Sequence, residues 1–248
     1  MKAFAVNPAP LQALIFDVDG TLADTERAHL AAFNAAFVQE GLPWHWDEAL
    51  YTKLLDVSGG KERITHFWRQ QQPDLKIIDS AAFTDTVQRI HDQKTAVYES
   101  LVKGGGVALR PGVLRLINRA HDAGLQLAIA TTTSPVNIAA LLRADIGPDW
   151  SRFFAVVEDA STAPRKKPHP QVYLQTLARL KLGADACLAI DDSANGLRAA
   201  SAAGLPTVIT TNSFTEQHDF EGALCVLPDL GATTLEELIS LHASRRAK

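Results

Sequence analysis

Two short stretches place acidic pairs directly after apolar runs. In "LIFDVDGT" Asp17 and Asp19 follow Leu14, Ile15 and Phe16, with Gly20 supplying a turn, and in "CLAIDDS" Asp191 and Asp192 follow a second run. A hydroxyl-rich stretch, Thr131 to Ser134, and a lysine, Lys167 in "RKKPHP", complete the set. Singly each is ordinary, because aspartate, serine and threonine are common helix caps and turn residues. Together they are not. Four carboxylates converging with a lysine are unfavourable at a purely structural edge, because like charges at close range raise each other's pKa unless a cation sits among them. The chemistry expected is that of an anion site neutralised by a metal. Gly20 comes too early for an EF-hand calcium loop, and neither a Walker loop nor HExxH is present.

For these clusters to meet, the elements carrying them must form one sheet. "LQLAIATTT" (Leu125 to Thr133), "FFAVVED" (Phe153 to Asp159), "CLAIDDS" (Cys187 to Ser193) and "PTVITT" (Pro206 to Thr211) read as short buried strands. Helices lie between them, with Pro111 and Pro170 near helix starts and Gly124 and Gly183 at helix ends. The alternation predicts an α/β fold, a doubly wound, Rossmann-like parallel sheet, with Ala13 to Val18 as a further strand. All four polar clusters then lie at the carboxyl ends of strands, the edge where open parallel sheets bind ligands.

Between the first strand and the rest, residues 24–105 are rich in helix formers, with Leu30, Phe33 and Phe37 at helical spacing. They read as an inserted α-helical cap domain, leaving 11–23 and 106–248 as the catalytic core. Gly104, Gly105 and Gly106 read as a flexible return to that core. Trp44, Trp46, Trp68 and Trp150 are expected to pack, because no basic patch accompanies them.

The chain has 248 residues, 46% of them apolar, and a formal net charge of −4. That balance argues against a nucleic-acid partner. Cys187 and Cys225 both lie in apolar runs, which favours reduced core residues and a cytoplasmic setting over a disulfide framework. The amino terminus, interrupted by Pro8 and Pro10, lacks a signal-length apolar segment, and no stretch approaches membrane-spanning length.

"DVDGT", a threonine-rich strand end, "KKPHP" and "IDDSANG", in this order, resemble the haloacid dehalogenase superfamily of aspartate-dependent phosphotransferases. The helical insertion is similar to the subclass holding phosphoglycolate phosphatases and β-phosphoglucomutases. "DGTLADTERAH", "SGGKERI" and "RKKPHPQVY" look most like its CbbY type, phosphatases that remove xylulose 1,5-bisphosphate, an inhibitor of Rubisco. The resemblance implies Asp17 as nucleophile and Asp19 as general acid and base. It implies Mg²⁺ held by Asp17, the Asp19 carbonyl, Asp191 and Asp192. Thr131, with the amides of Thr132 and Thr133, would take phosphoryl oxygens, and Lys167 would offset their charge. In the insertion, Lys61 and Arg63 beside Gly59 and Gly60 would anchor a distal phosphate, while Glu26, His29 and Tyr51 would meet the sugar hydroxyls. Lys166 reads as a solvated neighbour, and Ser193 and Asn195 as residues that orient the last motif. The partner implied is a small phosphorylated sugar, bound by a monomer. A mutase is the chief rival, since Thr25 and His29 suit its hinge equally well. A non-catalytic binding protein is disfavoured by the complete set of Asp17, Asp19, Lys167 and Asp192.

Overall fold

The computed structural model describes residues 10–73 and 80–245; the amino-terminal stretch containing Pro8 lies outside them. In chain order the elements are β1 (Ala13–Phe16), α1 (Glu26–Gln39), α2 (Glu48–Leu54), α3 (Gly60–Gln71), α4 (Ala81–Lys103), α5 (Val113–Asp122), β2 (Gln126–Ala130), α6 (Pro135–Asp145), β3 (Val156–Glu158), α7 (Gln171–Leu180), β4 (Cys187–Asp191), α8 (Ala194–Ala202), β5 (Thr207–Thr210), β6 (Cys225–Leu227) and α9 (Leu235–Ser244).

The sheet order is β3-β2-β1-β4-β5-β6, with every pair parallel. β1 shows why it is doubly wound. Its four residues are all buried: Leu14 and Phe16 join the apolar layer under α5, α6 and α9, while Ala13 and Ile15 join the layer under α7 and α8. After β3 the chain crosses back over β1 to lay down β4. The switch point therefore falls between β1 and β4, and the backbone amide of Asp17 donates to the Ile190 carbonyl at 2.9 Å.

The expected strands are present but shorter. Thr131 to Thr133 and Asp192 lie beyond their strands, and Phe153 belongs to a 3₁₀ turn, Trp150–Phe153. β6 and α9 went unanticipated; β6 is an edge strand of three residues with no fully buried side chain, so its apolar signal is weak.

Helices α1 to α4 have an apolar cluster of their own, centred on Phe33, Phe37, Trp46, Tyr51 and Phe67. Trp44 and Trp68 meet edge-on at 4.7 Å on its rim, and Trp150 packs against the sheet layer. The glycine run after α4 is a hydrogen-bonded stop rather than a flexible return. Gly106 donates to the Leu101 carbonyl and Gly105, at φ +78°, to that of Val102, the pairing of a Schellman motif. Both cysteines are free thiols.

Candidate active site

At the switch point Asp17, Asp191 and Asp192 are buried together, each offering a carboxylate oxygen within 4.8 Å of the others. Lys167, also buried, donates to Asp17 Oδ1 at 2.7 Å and to Asp191 Oδ2 at 2.8 Å. The two neighbouring aspartates differ in what they have left to give. Asp191 accepts from the Asp192 and Ser193 amides and the Ser193 hydroxyl on one oxygen, and from Lys167 and the Tyr173 hydroxyl on the other. Five donors fill the roughly four lone-pair positions of a carboxylate. Both aspartates expected to ligate a metal therefore stand in the cluster, but with different loads: Asp191 also holds Lys167 and the turn, whereas among the described residues Asp192 accepts from Thr21 and Asn212 alone.

Two glycines make the approach possible. A Cβ on Gly20, at φ +77°, would lie 2.3 Å from Asp192 Oδ2, and one on Gly196 would lie 1.9 Å from Asp191 Oδ1. Burial raises Asp17 to about 7, helped by Asp191 and opposed by Lys167. Burial, Asp191 and Asp17 drive Asp192 well above the usual carboxylate range. Burial disfavours ionisation of Asp191 as well, yet Lys167 and the Ser193 amide hold it low. One ammonium does not balance three buried carboxylates. An all-oxygen donor set with that residual charge fits a hard divalent cation.

Asp19 turns away from this cluster. Its Oδ1 accepts from the Thr25 hydroxyl at 2.8 Å and pairs with His29 Nε2 at 2.9 Å. Thr25 stands at the N-cap of α1, but its hydroxyl serves Asp19 and caps nothing. On the far side of the imidazole, Nδ1 lies 2.7 Å from Lys94 Nζ. A charged lysine only donates, so Nδ1 accepts and the His29 proton sits on Nε2, directed at Asp19. Tyr98 stacks under the ring at 4.1 Å. Burial opposes ionisation of Asp19, but His29, Thr25 and Lys94 hold its carboxyl far below the usual range. Burial lowers Lys94 to about 8. Lys94 was missed in the sequence, although a signal exists: it interrupts the buried stripe Val87, Ile90, Tyr98 and Val102 of α4 at helical spacing.

At the end of β2, buried Thr131 accepts from the Thr133 amide at 3.3 Å, and Thr131 to Thr133 line the same cleft as Asp17. Ser134 is the N-cap of α6. Ser134 lines the cleft as well, so one hydroxyl run serves both cap and cleft.

The description "haloacid dehalogenase-like hydrolase" matches residues 11–204. Protein CbbY (plasmid) of Cupriavidus necator is 58% identical over 221 residues, covering 89% of this chain and 86% of the relative. The chain belongs to the haloacid dehalogenase-like hydrolases and is a CbbY-type phosphatase. The crystal structure of CbbY from Rhodobacter sphaeroides with phosphate superposes with a TM-score of 0.84 at 39% identity, over 92% of this chain and 99% of that one. An aspartate-to-asparagine variant of that protein, in complex with xylulose-(1,5)bisphosphate, gives 0.83 at the same identity and coverage.

In this phosphatase the cleft, about 440 Å³, opens between the sheet edge and the helical insertion. Glu26, His29, Gly59, Gly60, Lys61 and Arg63 line it from the insertion. Tyr51 does not. It is wholly buried, donates to Glu26 at 2.8 Å and accepts from Arg63 at 3.1 Å, so it braces two lining residues and touches no ligand space. Arg63 is also committed: its guanidinium donates to the Leu54 and Val57 carbonyls and lies over the Tyr51 ring at 5.1 Å. Lys61 bears an exposed hydrogen bond to Gln88 at 3.0 Å. The bareness of Gly59 and Gly60 already has local uses, since a Cβ would strike the Glu62 carboxylate at 2.1 Å or the His91 ring at 2.7 Å. Lys166 is no solvated bystander; half-buried, it lines the cleft, and burial, then Lys61, lower its pKa against the pull of Glu62. His91 faces Lys94, Lys61, His29 and Lys166, and burial with those charges brings it down to about 3. Asn195 reaches beyond its own motif, donating to the carbonyls of Leu55 and Asp56 in the insertion.

Proposed function

We propose that the chain is a Mg²⁺-dependent sugar-bisphosphate phosphatase that works through an aspartyl-phosphate, with xylulose 1,5-bisphosphate as its substrate and removal of a Rubisco inhibitor as its purpose. We place it in the cytoplasm as a monomer, with residues 24–105 closing as a cap over a core formed by 11–23 and 106–248. One observation carries the reading: the Asp17 carboxylate is fixed by Lys167 at the switch point, inside a cluster whose residual charge calls for a divalent cation. The relative of known structure that binds xylulose-(1,5)bisphosphate supports the substrate.

Asp17, Asp192 and the Asp19 carbonyl would hold Mg²⁺, with Asp191 behind them; bound there, the ion would supply positive charge to offset that of the phosphate and of the attacking carboxylate. With Oδ1 held by Lys167, the other oxygen of Asp17 attacks phosphorus as the ester oxygen departs. Asp19 is ionised in the free enzyme; the arriving phosphate dianion raises its affinity for a proton, it takes one up from solvent, and it gives that proton to the leaving sugar oxygen. It then takes a proton from the water that cleaves the aspartyl-phosphate. Thr131 with the Thr132 and Thr133 amides receives phosphoryl oxygens, and Glu26 and His29 face the sugar. The distal phosphate meets Lys61 from the insertion and Lys166 from the core, beside Gly59 and Gly60. Arg63 supports that anchor from behind.

The test is a panel of sugar monophosphates and bisphosphates with Mg²⁺, following inorganic phosphate and isomerised sugar phosphate separately. Phosphate release, fastest from xylulose 1,5-bisphosphate, is expected. Isomerised product without net phosphate release would make the protein a mutase.

A further inference from the structure

Helix α2 ends at Leu54, whose carbonyl already accepts from the Val57 amide at 3.1 Å; the carbonyls of Leu55, Asp56 and Val57 beyond it need donors from elsewhere. The insertion serves the outer two of these four carbonyls. Arg63 of α3 donates to Leu54 at 3.0 Å and to Val57 at 3.3 Å. The middle pair is met from the sheet domain: Asn195 Nδ2 donates to Asp56 at 3.0 Å and to Leu55 at 3.5 Å. The amide has one orientation that suits all its neighbours, because its Oδ1 accepts from Arg198 Nη2 at 2.7 Å. Asn195 is 7% exposed and stands on the first turn of α8, three residues after Asp192. That turn is rigid, since Ser193 caps α8 and both its amide and its hydroxyl are held by Asp191.

A second contact joins the same two bodies. Phe214, buried in the segment after β5, enters the aromatic cluster of the insertion edge-on to Tyr51 at 6.0 Å. Its amide is held by Asn212 Oδ1, and Asn212 Nδ2 donates to Asp192 Oδ2 at 2.8 Å. Both links start at the acidic motif; one ends on the segment that leads through Ser58, Gly59 and Gly60 to Lys61, the other on Tyr51 of α2, which Arg63 of α3 also holds.

We propose that Asn195, oriented by Arg198, is a positioning residue: it latches the Leu55–Asp56 segment to the acidic motif and so sets where Lys61 stands relative to Asp17. The inference rests on the cap reading above. The latch touches neither substrate nor reacting atoms. It raises the fraction of molecules whose anchor is in place before a bisphosphate arrives, and an affinity that depends on a pre-formed state falls in proportion to that fraction.

Asn195→Asp separates latch from fold. The carboxylate keeps the size, the Arg198 contact and a residue favourable to the first turn of a helix, but it has no N–H to give and faces two carbonyls. In amide hydrogen exchange of the free protein, Asn195→Asp and Asn195→Ala are expected to speed exchange at residues 55–57 about ten-fold, as loss of about one net hydrogen bond implies. β4 and α8 should exchange as in the parent. KM for xylulose 1,5-bisphosphate should rise by a similar factor with kcat little altered. Unchanged exchange at 55–57 in Asn195→Asp overturns the latch, whatever the kinetics. Faster exchange there with no shift in KM overturns the link to the anchor. Faster exchange in a parent enzyme that does not hydrolyse the bisphosphate leaves the latch standing and removes only the substrate.

Discussion

Asp17 must be anionic to attack, yet it is buried beside two further carboxylates, and burial has raised it to about 7. Asp17→Asn should therefore abolish turnover while melting within a few degrees of the parent, because the amide keeps the shape and removes one of three like charges. Measurable turnover in that variant would take the nucleophile's role from Asp17. His91 makes a prediction about pH. The unfolded imidazole takes a proton near 6.5, whereas the folded one resists until about 3, so between these values the unfolded chain binds more protons. Its contribution to stability is complete above 6.5 and drains away as pH falls. Lowering pH from 7 to 5 should cost about 2 kcal/mol through this group. Denaturant titrations of His91→Asn at the two pH values should show that much less loss than the parent; an equal loss would show that the surrounding Lys94, Lys61, His29 and Lys166 do not oppose its protonation.

Two cations at the start of helix α3 have different duties. Lys61 faces the cleft with an exposed ammonium, while Arg63 closes the carbonyls at the end of α2 and braces Tyr51. Lys61→Ala should lower kcat/KM for the bisphosphate about ten- to hundred-fold, the range for a charged hydrogen bond, with little change in stability. p-Nitrophenyl phosphate, which has nothing to place there, should be hydrolysed nearly as before. Arg63→Ala leaves the Val57 carbonyl without its donor and takes a second donor from the Leu54 carbonyl and the Arg63 bond from the buried Tyr51 hydroxyl, so it should cost about 2 to 4 kcal/mol in denaturant unfolding. Equal loss on both substrates with Lys61→Ala would assign that lysine to closure rather than to the distal phosphate.

Across the whole molecule, the acidic cluster is built by strands distant in sequence, so a cation bound there favours the folded state alone. At a hundred-fold excess over Kd, Mg²⁺ should stabilise the protein by about 2.7 kcal/mol, or roughly 5 to 10 °C in Tm for a domain of this size. EDTA should reverse the shift and stop activity, and Asp192→Asn should remove most of it. A Tm indifferent to Mg²⁺ and EDTA would leave the three carboxylates without the cation their charge requires.

The motif residues and the parallel sheet were readable in the sequence because both depend on local pattern: apolar runs of strand length, punctuated by glycine and proline, each ending in a polar group at the binding edge of the sheet. Asp17, Asp19 and Thr131 follow such runs directly, whereas Lys167, expected at a strand end, stands in the loop between β3 and α7 and reaches Asp17 from there. The sequence could not say which of Asp191 and Asp192 keeps free lone pairs, because the answer depends on Lys167, Tyr173 and Ser193 meeting one carboxylate. Nor could it distinguish Arg63 from Lys61, two cations two residues apart on one helix, whose neighbours are set by how α2 and α3 pack. Lys94, 65 positions from His29, acquires its partner only when α4 packs on α1 within the insertion, and Asn195, 139 from Asp56, only when the insertion folds over the sheet. Residue type and period are properties of the chain, but which donors reach which acceptors is decided by packing between elements, and that is where the tertiary structure assigned the roles.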